Sequence, residues 1–424
     1  MSLENFLPEM ERCSLCSFCK WIPHDKIESI RFAYACPSIS YNNLNSYSAR
    51  GKYAMGKSLI TGKAECTDIV VDSVFKCQTC GACDVSCKVC RYNLEPLQMM
   101  FALREKLVKD GKALPEHKKY IDSLNKENNM RLGSKSERGK WADGLKVKNI
   151  GKESAAVLFH AGCRFSYDKE LQEVAKSAVT VLQKAGVDVG IFGGEEMCCG
   201  AKAQQMGFTD EFNTAAKKVI EKLKGAGVKK IVTSCANCFF SFTRLYPKLG
   251  AEFEVLHTAQ YLDQLIKEGK IKFSGKVPLR VTYHDPCRLG RQGEPYVAWN
   301  GKEKKVRNQI ITYDPPKPRY NGAKGVYDAP RDVLKSIPGI ELVEMERKRE
   351  YAWCCGSGGG AREVYPEYSQ WTATERIEEA KTTGADAIVT ACGSCERNFI
   401  DAASAAKEKI KVFDIVQIVQ QAMA

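Results

Sequence analysis

Two stretches, "EEMCCGAKAQ" and "YAWCCGSGGG", set adjacent cysteines before a glycine at matching points of a tandem repeat. Adjacent cysteines make poor disulfides, because Cα atoms about 3.8 Å apart fall short of the roughly 5.5 Å that a relaxed bridge spans. The surrounding pattern runs twice. "SAAVLFHAGC" and "LRVTYHDPC" each read as a strand that delivers a cysteine at its C-terminal end, and "VDVGIF" and "IELVEM" read as strands leading into a Cys-Cys-Gly. Helical periodicity follows in "DEFNTAAKKVIEKLKGAG" and "YSQWTATERIEEAKTTGAD". Strands ending in C-x-x-C come next in "KKIVTSCANC" and "DAIVTACGSC", then helical patterns in "TAQYLDQLIKEG" and "VFDIVQIVQQAM". Such alternation predicts parallel α/β units whose strand C-termini gather the functional groups. Two homologous halves should present two similar sites to each other.

Each copy carries five cysteines: Cys163, Cys198, Cys199, Cys235 and Cys238, then Cys287, Cys354, Cys355, Cys392 and Cys395. Between Cys199 and Cys235 lie 35 residues, and between Cys355 and Cys392 lie 36, so the copies keep register. Five thiolates exceed the ligand set of a structural zinc ion, and adjacent cysteines suit the neighbouring metals of a multi-iron cluster. A cluster of unusual geometry at each Cys-Cys-Gly is the expectation; a four-cysteine zinc site with one spare thiol is the alternative. Gly200 and the "GSGGG" run would let backbone N–H groups approach cluster sulfurs. His160 and His284 stand three residues before the first cysteine of each copy, and Arg164 and Arg288 directly after it. That placement makes the histidines candidates for catalytic duty beside each cluster, by a hydrogen bond to sulfur or a proton; support of the repeated turn is the competing role.

The N-terminal segment follows a different rule. "CQTCGACDVSC" gives Cys77, Cys80, Cys83 and Cys87 in the C-x2-C-x2-C-x3-C spacing of two-cluster ferredoxins, and "CSLCSFC" gives Cys13, Cys16 and Cys19, followed later by Cys36-Pro37. In such ferredoxins the fourth cysteine of a run ligates the other cluster. The crossed assignment is Cys13, Cys16, Cys19 with Cys87, and Cys77, Cys80, Cys83 with Cys36, for two cubane clusters. Lys88 stands where proline would follow Cys87, and Cys90 competes with Cys87 as a ligand. Cys66 and Cys90 are left over as small buried residues. "GKYAMGKS" fits the P-loop pattern, but "YNNLNSYSAR" ahead of it is no hydrophobic strand, so the match reads as coincidence.

The expected organisation is α/β: a mainly helical two-cluster ferredoxin-like domain over 1–103, a cysteine-free helical connector over 104–153, and two pseudo-repeated α/β domains over 154–276 and 277–424. No apolar run approaches the roughly 20 residues of a membrane helix, and "MSLENFLPEMERCSLC" lacks the apolar core of a secretory signal. Without that signal, 20 cysteines point to metal ligands in a cytoplasmic protein rather than to a disulfide framework, with docking on a membrane-bound partner left open. The formal charge of +13 counts every cysteine as neutral; metal-bound thiolates reduce it, and no basic-aromatic signature of nucleic-acid binding appears.

The pattern C-x(n)-C-C-G-x(m)-C-x-x-C, complete in both copies, resembles the CCG domains of the B- and D-type catalytic subunits of heterodisulfide reductase. The D type also carries an N-terminal two-cluster ferredoxin segment, and "ENNMRLGSKSERGKWADGL" resembles the linker of such proteins. The resemblance implies that each five-cysteine set binds a noncubane 4Fe–4S cluster. It implies that the two clusters flank a disulfide-like or other small-molecule acceptor and reduce it, with the cubanes as the wire from flavin- and iron–sulfur-containing partner subunits. Similar chains serve electron-bifurcating complexes such as the class II benzoyl-CoA reductase assembly. The alternative is an electron-carrier subunit similar to those of glycolate oxidase or anaerobic glycerol-3-phosphate dehydrogenase. One departure bears on the substrate: 66 residues separate Cys287 from Cys354, against 34 between Cys163 and Cys198. The surplus, around 291–325, is basic, aromatic and proline-bearing, suited to covering the site or docking a partner.

Overall fold

Short apolar runs form the strands. Val157–Phe159 and Ala387–Thr390 are buried along their whole length, as in a parallel sheet covered on both faces. The computed structural model describes residues 2–90, 94–295, 297–307 and 310–423, apart from the side chains of Cys90, Lys305, Ile310 and Ile311. The first sheet is β1 (Lys148–Asn149), β2 (Val157–Phe159), β3 (Val189–Ile191), β4 (Lys230–Thr233) and β5 (Glu254–His257), in the spatial order β1-β3-β2-β4-β5. The second half supplies β6 (Leu279–Tyr283), an antiparallel ribbon of β7 (Lys302–Val306) and β8 (Ile310–Asp314), then β9 (Ile340–Val343), β10 (Ala387–Thr390) and β11 (Lys411–Asp414). Its sheet runs β11-β10-β6-β9, every pair parallel. The order β3-β2-β4-β5 therefore recurs as β9-β6-β10-β11: the chain is α/β, built on one unit used twice.

Helices cover these sheets, and Pro366–Thr382 buries the charged Arg376 and Glu379 along with its apolar residues. Thr209–Gly225 buries Phe212, Ala216, Val219, Ile220 and Leu223, and carries Asp210 and Glu211 in its first turn and Lys222 and Lys224 in its last, the order that suits the helix dipole. The strands β5 and β11 lie outside the sequence expectation, which gave no element at 254–257 and took "VFD", part of β11, as helical. Both strands end in a capping box, at His257 and at Asp414, which starts the final helix of each half, Thr258–Lys267 and Ile415–Ala422. The halves share one apolar core, and Ser177 on Gln172–Lys184 donates to Gln420 on the last helix of the other half at 2.5 Å.

The N-terminal segment consists of short helices with their own apolar core around Phe6, Tyr53, Phe75 and Leu103. The P-loop-like string lies within the helix Ala49–Ile60, which Ser48 caps through Gly51 N–H, so it forms no phosphate loop. Helix Pro96–Lys109 runs across residue 103, and β1 ties the connector to the first sheet by pairing with β3. No helix among the described residues is long and apolar enough to cross a membrane.

One side chain joins all three parts. The fully buried Arg104 donates to the carbonyls of Val74 (3.0 Å), Phe75 (3.1 Å) and Cys77 in the N-terminal segment, Gln205 (2.7 Å) in the first half and Gly359 (2.5 Å) in the second. Removing the guanidinium takes a buried donor from each of these carbonyls, of which Val74 O keeps the Cys77 N–H. Arg104→Ala should therefore lower stability by about 3 kcal/mol or more, read as a shift of the urea midpoint of anaerobically purified protein; an unchanged midpoint would contradict this role.

Candidate metal centres

The N-terminal thiols gather in two groups. Burial pushes the Cys19 thiol up to about 11, with Cys36, Cys13 and Cys16 close enough to add to the rise. Cys87 is raised first by burial and then by Cys19, Cys13 and Cys16, while Cys83 is raised by burial and by Asp84, Cys36, Cys77 and Cys80. Cys13, Cys16, Cys19 and Cys87 thus lie together. Cys36, Cys77, Cys80 and Cys83 line a common hollow with Lys52, Met100 and Tyr368. The grouping is the one the crossed spacing rule gives. Thr79 N–H points at Cys77 Sγ at 3.4 Å. Cys66 stands apart, near Lys112 and Asp110, and the Cys90 side chain lies outside the described residues.

The ten repeat cysteines sit at strand C-termini. Cys163 follows β2 at the start of the short helix Gly162–Tyr167, and Cys235 and Cys392 are the N-caps of helices that follow β4 and β10. Helix N-termini leave N–H groups without intrahelical partners at such turns. In both Cys-Cys-Gly turns the glycine N–H points back at the first sulfur at 3.4 Å, Gly200 to Cys198 and Gly356 to Cys354. Gly200 and Gly356 have φ of +73° and +91°, a conformation other residues rarely adopt.

Proton sharing repeats between the halves. Cys199 accepts from Cys198 and Cys238, which pulls it down to about 5 against burial; Cys355 accepts from Cys354 and Cys395 and falls to about 6. Their donors rise: Cys198 to about 12, and Cys238, Cys354 and Cys395 well above the ordinary thiol range. The second cysteine of each pair is the hub of its set. The sets also touch in sequence. Cys19 neighbours Cys36, Cys80 shares a hydrogen bond with Cys354, and Cys392 accepts from Ala236 N–H beside Cys235. Four thiol groups form one row, with the second repeat site between the N-terminal groups and the first.

His160 and His284 occupy equivalent places, each donating its backbone N–H at 2.8 Å to the next strand, at Val232 and Val389. Both rings are buried, and burial is the main force holding both below the usual imidazole range. Their partners differ. His160 Nδ1 lies 3.5 Å from Glu196, whereas His284 Nδ1 accepts from Arg376 Nε at 3.2 Å. A ring nitrogen of His284 lies within 4.8 Å of the Cys355 and Cys395 sulfurs. Arg164 turns to Asp168 at 3.2 Å, and Arg288 grips Thr79 through its carbonyl and hydroxyl at 2.9 Å each.

The surplus segment of the second half packs on the N-terminal segment, with Lys88 donating to Tyr320 O at 2.9 Å. Val297, Trp299, Lys317 and Tyr320 wall a cavity of about 420 Å3 whose other side includes Gly81, Asp84, Phe240 and Arg291. Sequence reasoning missed Glu196 and Arg138, a buried ion pair beside Cys163. Glu196 stands in the quoted "EEMCCG" and was findable; Arg138 lies 25 residues from Cys163, inside the quoted "ENNMRLGSKSERGKWADGL", whose resemblance to a linker gave no sign of a contact with a cysteine.

The donor set fits iron–sulfur clusters. The ligands are thiols, mostly buried, and backbone N–H groups point at sulfur; soft thiolates select such clusters or zinc. The space is also kept clear: a Cβ on Gly162 (φ +75°) would lie 2.8 Å from Cys238 Sγ.

Residues 157–243 and 317–400 match the family model described as "Cysteine-rich domain" (CCG). The chain is 32% identical over 360 residues to the D-type subunit of the dihydromethanophenazine:CoB–CoM heterodisulfide reductase of Methanosarcina mazei, covering 83% of this chain and 78% of that protein. It is 30% identical over 366 residues to the probable iron–sulfur-binding oxidoreductase FadF of Bacillus subtilis (84% and 47%). It is 29% identical over 369 residues to the EtfAB:quinone oxidoreductase of Syntrophomonas wolfei (83% and 47%).

The clearance at Gly162 is testable. Gly162→Ala should lower the metal retained per chain while Cys287→Ser in the same background lowers it further, because the second set is untouched by the methyl group. Unchanged metal in Gly162→Ala would contradict the packing described.

Proposed function

The chain belongs to the family of D-type heterodisulfide reductase subunits, iron–sulfur oxidoreductases, and on that basis we propose that it carries electrons along its row of thiol groups to a disulfide-like or other small-molecule acceptor. Cys13, Cys16, Cys19 and Cys87 hold one cubane 4Fe–4S cluster, and Cys36, Cys77, Cys80 and Cys83 the other. The two five-cysteine sets hold noncubane 4Fe–4S clusters. When bound, such clusters supply single electrons at potentials set by ligands, hydrogen bonds and burial. Reduction of a disulfide consumes two electrons and two protons and releases two thiols, so a pair of one-electron sites suits it. The observation that carries the reading is the contact of Cys80 with Cys354, which supports the N-terminal groups as the entry and the repeat pair as the end.

The chain's own residues do three things in this reading. Burial of the thiols excludes water and competing reactions. Gly200 and Gly356 N–H groups hold sulfur charge at fixed points. His160 and His284, kept neutral, stand beside the two sites and hold or pass a proton there. Electrons come from flavin- and iron–sulfur-containing partner subunits of a larger complex, in the cytoplasm or docked on a membrane-bound partner. A second reading, a carrier without its own substrate, draws support from FadF and the EtfAB:quinone oxidoreductase, in which a matching stretch is about half of a longer protein.

Metal and acid-labile sulfide on anaerobically purified protein test the cofactors. The expected content is roughly sixteen irons per chain, four per cluster; about eight irons with one or two zincs would contradict it. With full clusters, reduction of a disulfide by a viologen donor supports the catalytic reading, and its absence the carrier. His284→Asn should shift the potential of one repeat-site signal or slow that turnover, and unchanged values of both would remove the histidines from the mechanism.

A further inference from the structure

We infer that Arg138 raises the reduction potential of the first five-cysteine site through Cys163, an assignment that rests on both sets holding iron–sulfur clusters. Arg138 comes from the connector and is 1% exposed. Its Nη1 donates to Cys163 Sγ at 3.1 Å and its Nη2 to Glu196 Oε1 at 2.6 Å. Glu196 also accepts from the N–H groups of Ala161 (2.8 Å) and Gly162 (2.9 Å), the peptides that lead into Cys163. The carboxylate is thus fixed to the same turn as the cysteine and aims the guanidinium at its sulfur. Tyr167 lies against the guanidinium, 5.7 Å from ring centre to its carbon.

The second site is arranged differently, with arginines beside Cys287 that no carboxylate next to its Cys-Cys-Gly turn aims at sulfur. Ala352 stands two residues before Cys354, where Glu196 stands two before Cys198. The buried Arg291 there donates to the carbonyls of Cys80 (2.9 Å), Glu350 (2.6 Å) and Ala352 (2.6 Å). Arg288 Nη1 donates to Cys287 Sγ at 3.8 Å, a longer bond than that of Arg138, while its short bonds go to Thr79. A charge-assisted hydrogen bond to a ligand sulfur stabilises the extra negative charge of the reduced state and raises the potential. The full charge of Glu196 works the other way, but its oxygens face Arg138, two peptide N–H groups and His160, whereas the guanidinium touches sulfur directly. The pull therefore falls on the site farther along the row from the N-terminal thiols, which biases reducing equivalents toward it.

The test is a potentiometric titration followed by EPR on the anaerobic full-length protein, its Arg138→Gln variant and its Arg138→Lys variant, with iron and sulfide per chain measured alongside. In Arg138→Gln one repeat-site signal should move to more negative potential while the other stays, at unchanged iron content. Arg138→Lys, which keeps the charge, should move the same signal in the same direction by less, and it carries the test alone where the glutamine variant fails to fold. Signals that stay put, signals that move together, or loss of repeat-site iron in both variants would overturn the assignment. Zinc in place of iron in the unaltered protein would instead sink the cofactor reading on which it rests.

Discussion

A thiolate buried without a partner is costly, and this fold buries most of twenty cysteines. Everything else around the sites answers that constraint. In the protein alone the thiols share hydrogen bonds that pull Cys199 and Cys355 down and push Cys238 and Cys395 up. Metal ions take the place of the thiol protons. The parallel α/β unit suits the task because its strand C-termini converge, and the helices that follow begin there with free N–H groups. Glycines with positive φ bend the Cys-Cys-Gly turns so that their own N–H groups meet sulfur.

Duplication gives two such sites, and the contacts between parts give them different neighbours. The N-terminal segment is held mainly by arginines that reach its backbone: Arg104 at Val74, Phe75 and Cys77, Arg288 at Thr79, and Arg291 at Cys80. Those bonds fix the loop that bears Cys77 and Cys80 against the second repeat site. The connector does the converse, adding β1 to the first sheet and Arg138 to the first site. A near-symmetric pair of sites is thereby built into an asymmetric row, which is what directional electron transfer needs.

Much of this was legible in the sequence. The repeat spacing of the cysteines, the strands that deliver them and the long amphipathic helices follow from periodicities that local chemistry enforces. The four-residue strands β5 and β11 did not stand out, because partly exposed strands run straight into capped helices and carry no pattern of their own. The Arg138–Cys163 bond and the Cys80–Cys354 contact are tertiary: each joins residues whose separation in the chain bears no relation to their meeting. Glu196 sits between these cases, visible beside the cysteines but without a sign of the partner it would aim. The ribbon β7–β8 falls in the surplus segment, which the longer cysteine spacing marked as an addition and whose composition gave no topology.

The central claim is that four thiol groups in a row, two of four cysteines and two of five, each hold an iron–sulfur cluster. Anomalous diffraction from crystals of the anaerobic protein, recorded above and below the iron absorption edge, addresses it directly. Four separate iron-rich peaks are expected, at the Cys16, Cys80, Cys355 and Cys199 groups in that order along the row. Iron at the two N-terminal groups alone, with single zinc peaks at the two Cys-Cys-Gly sites, would contradict it.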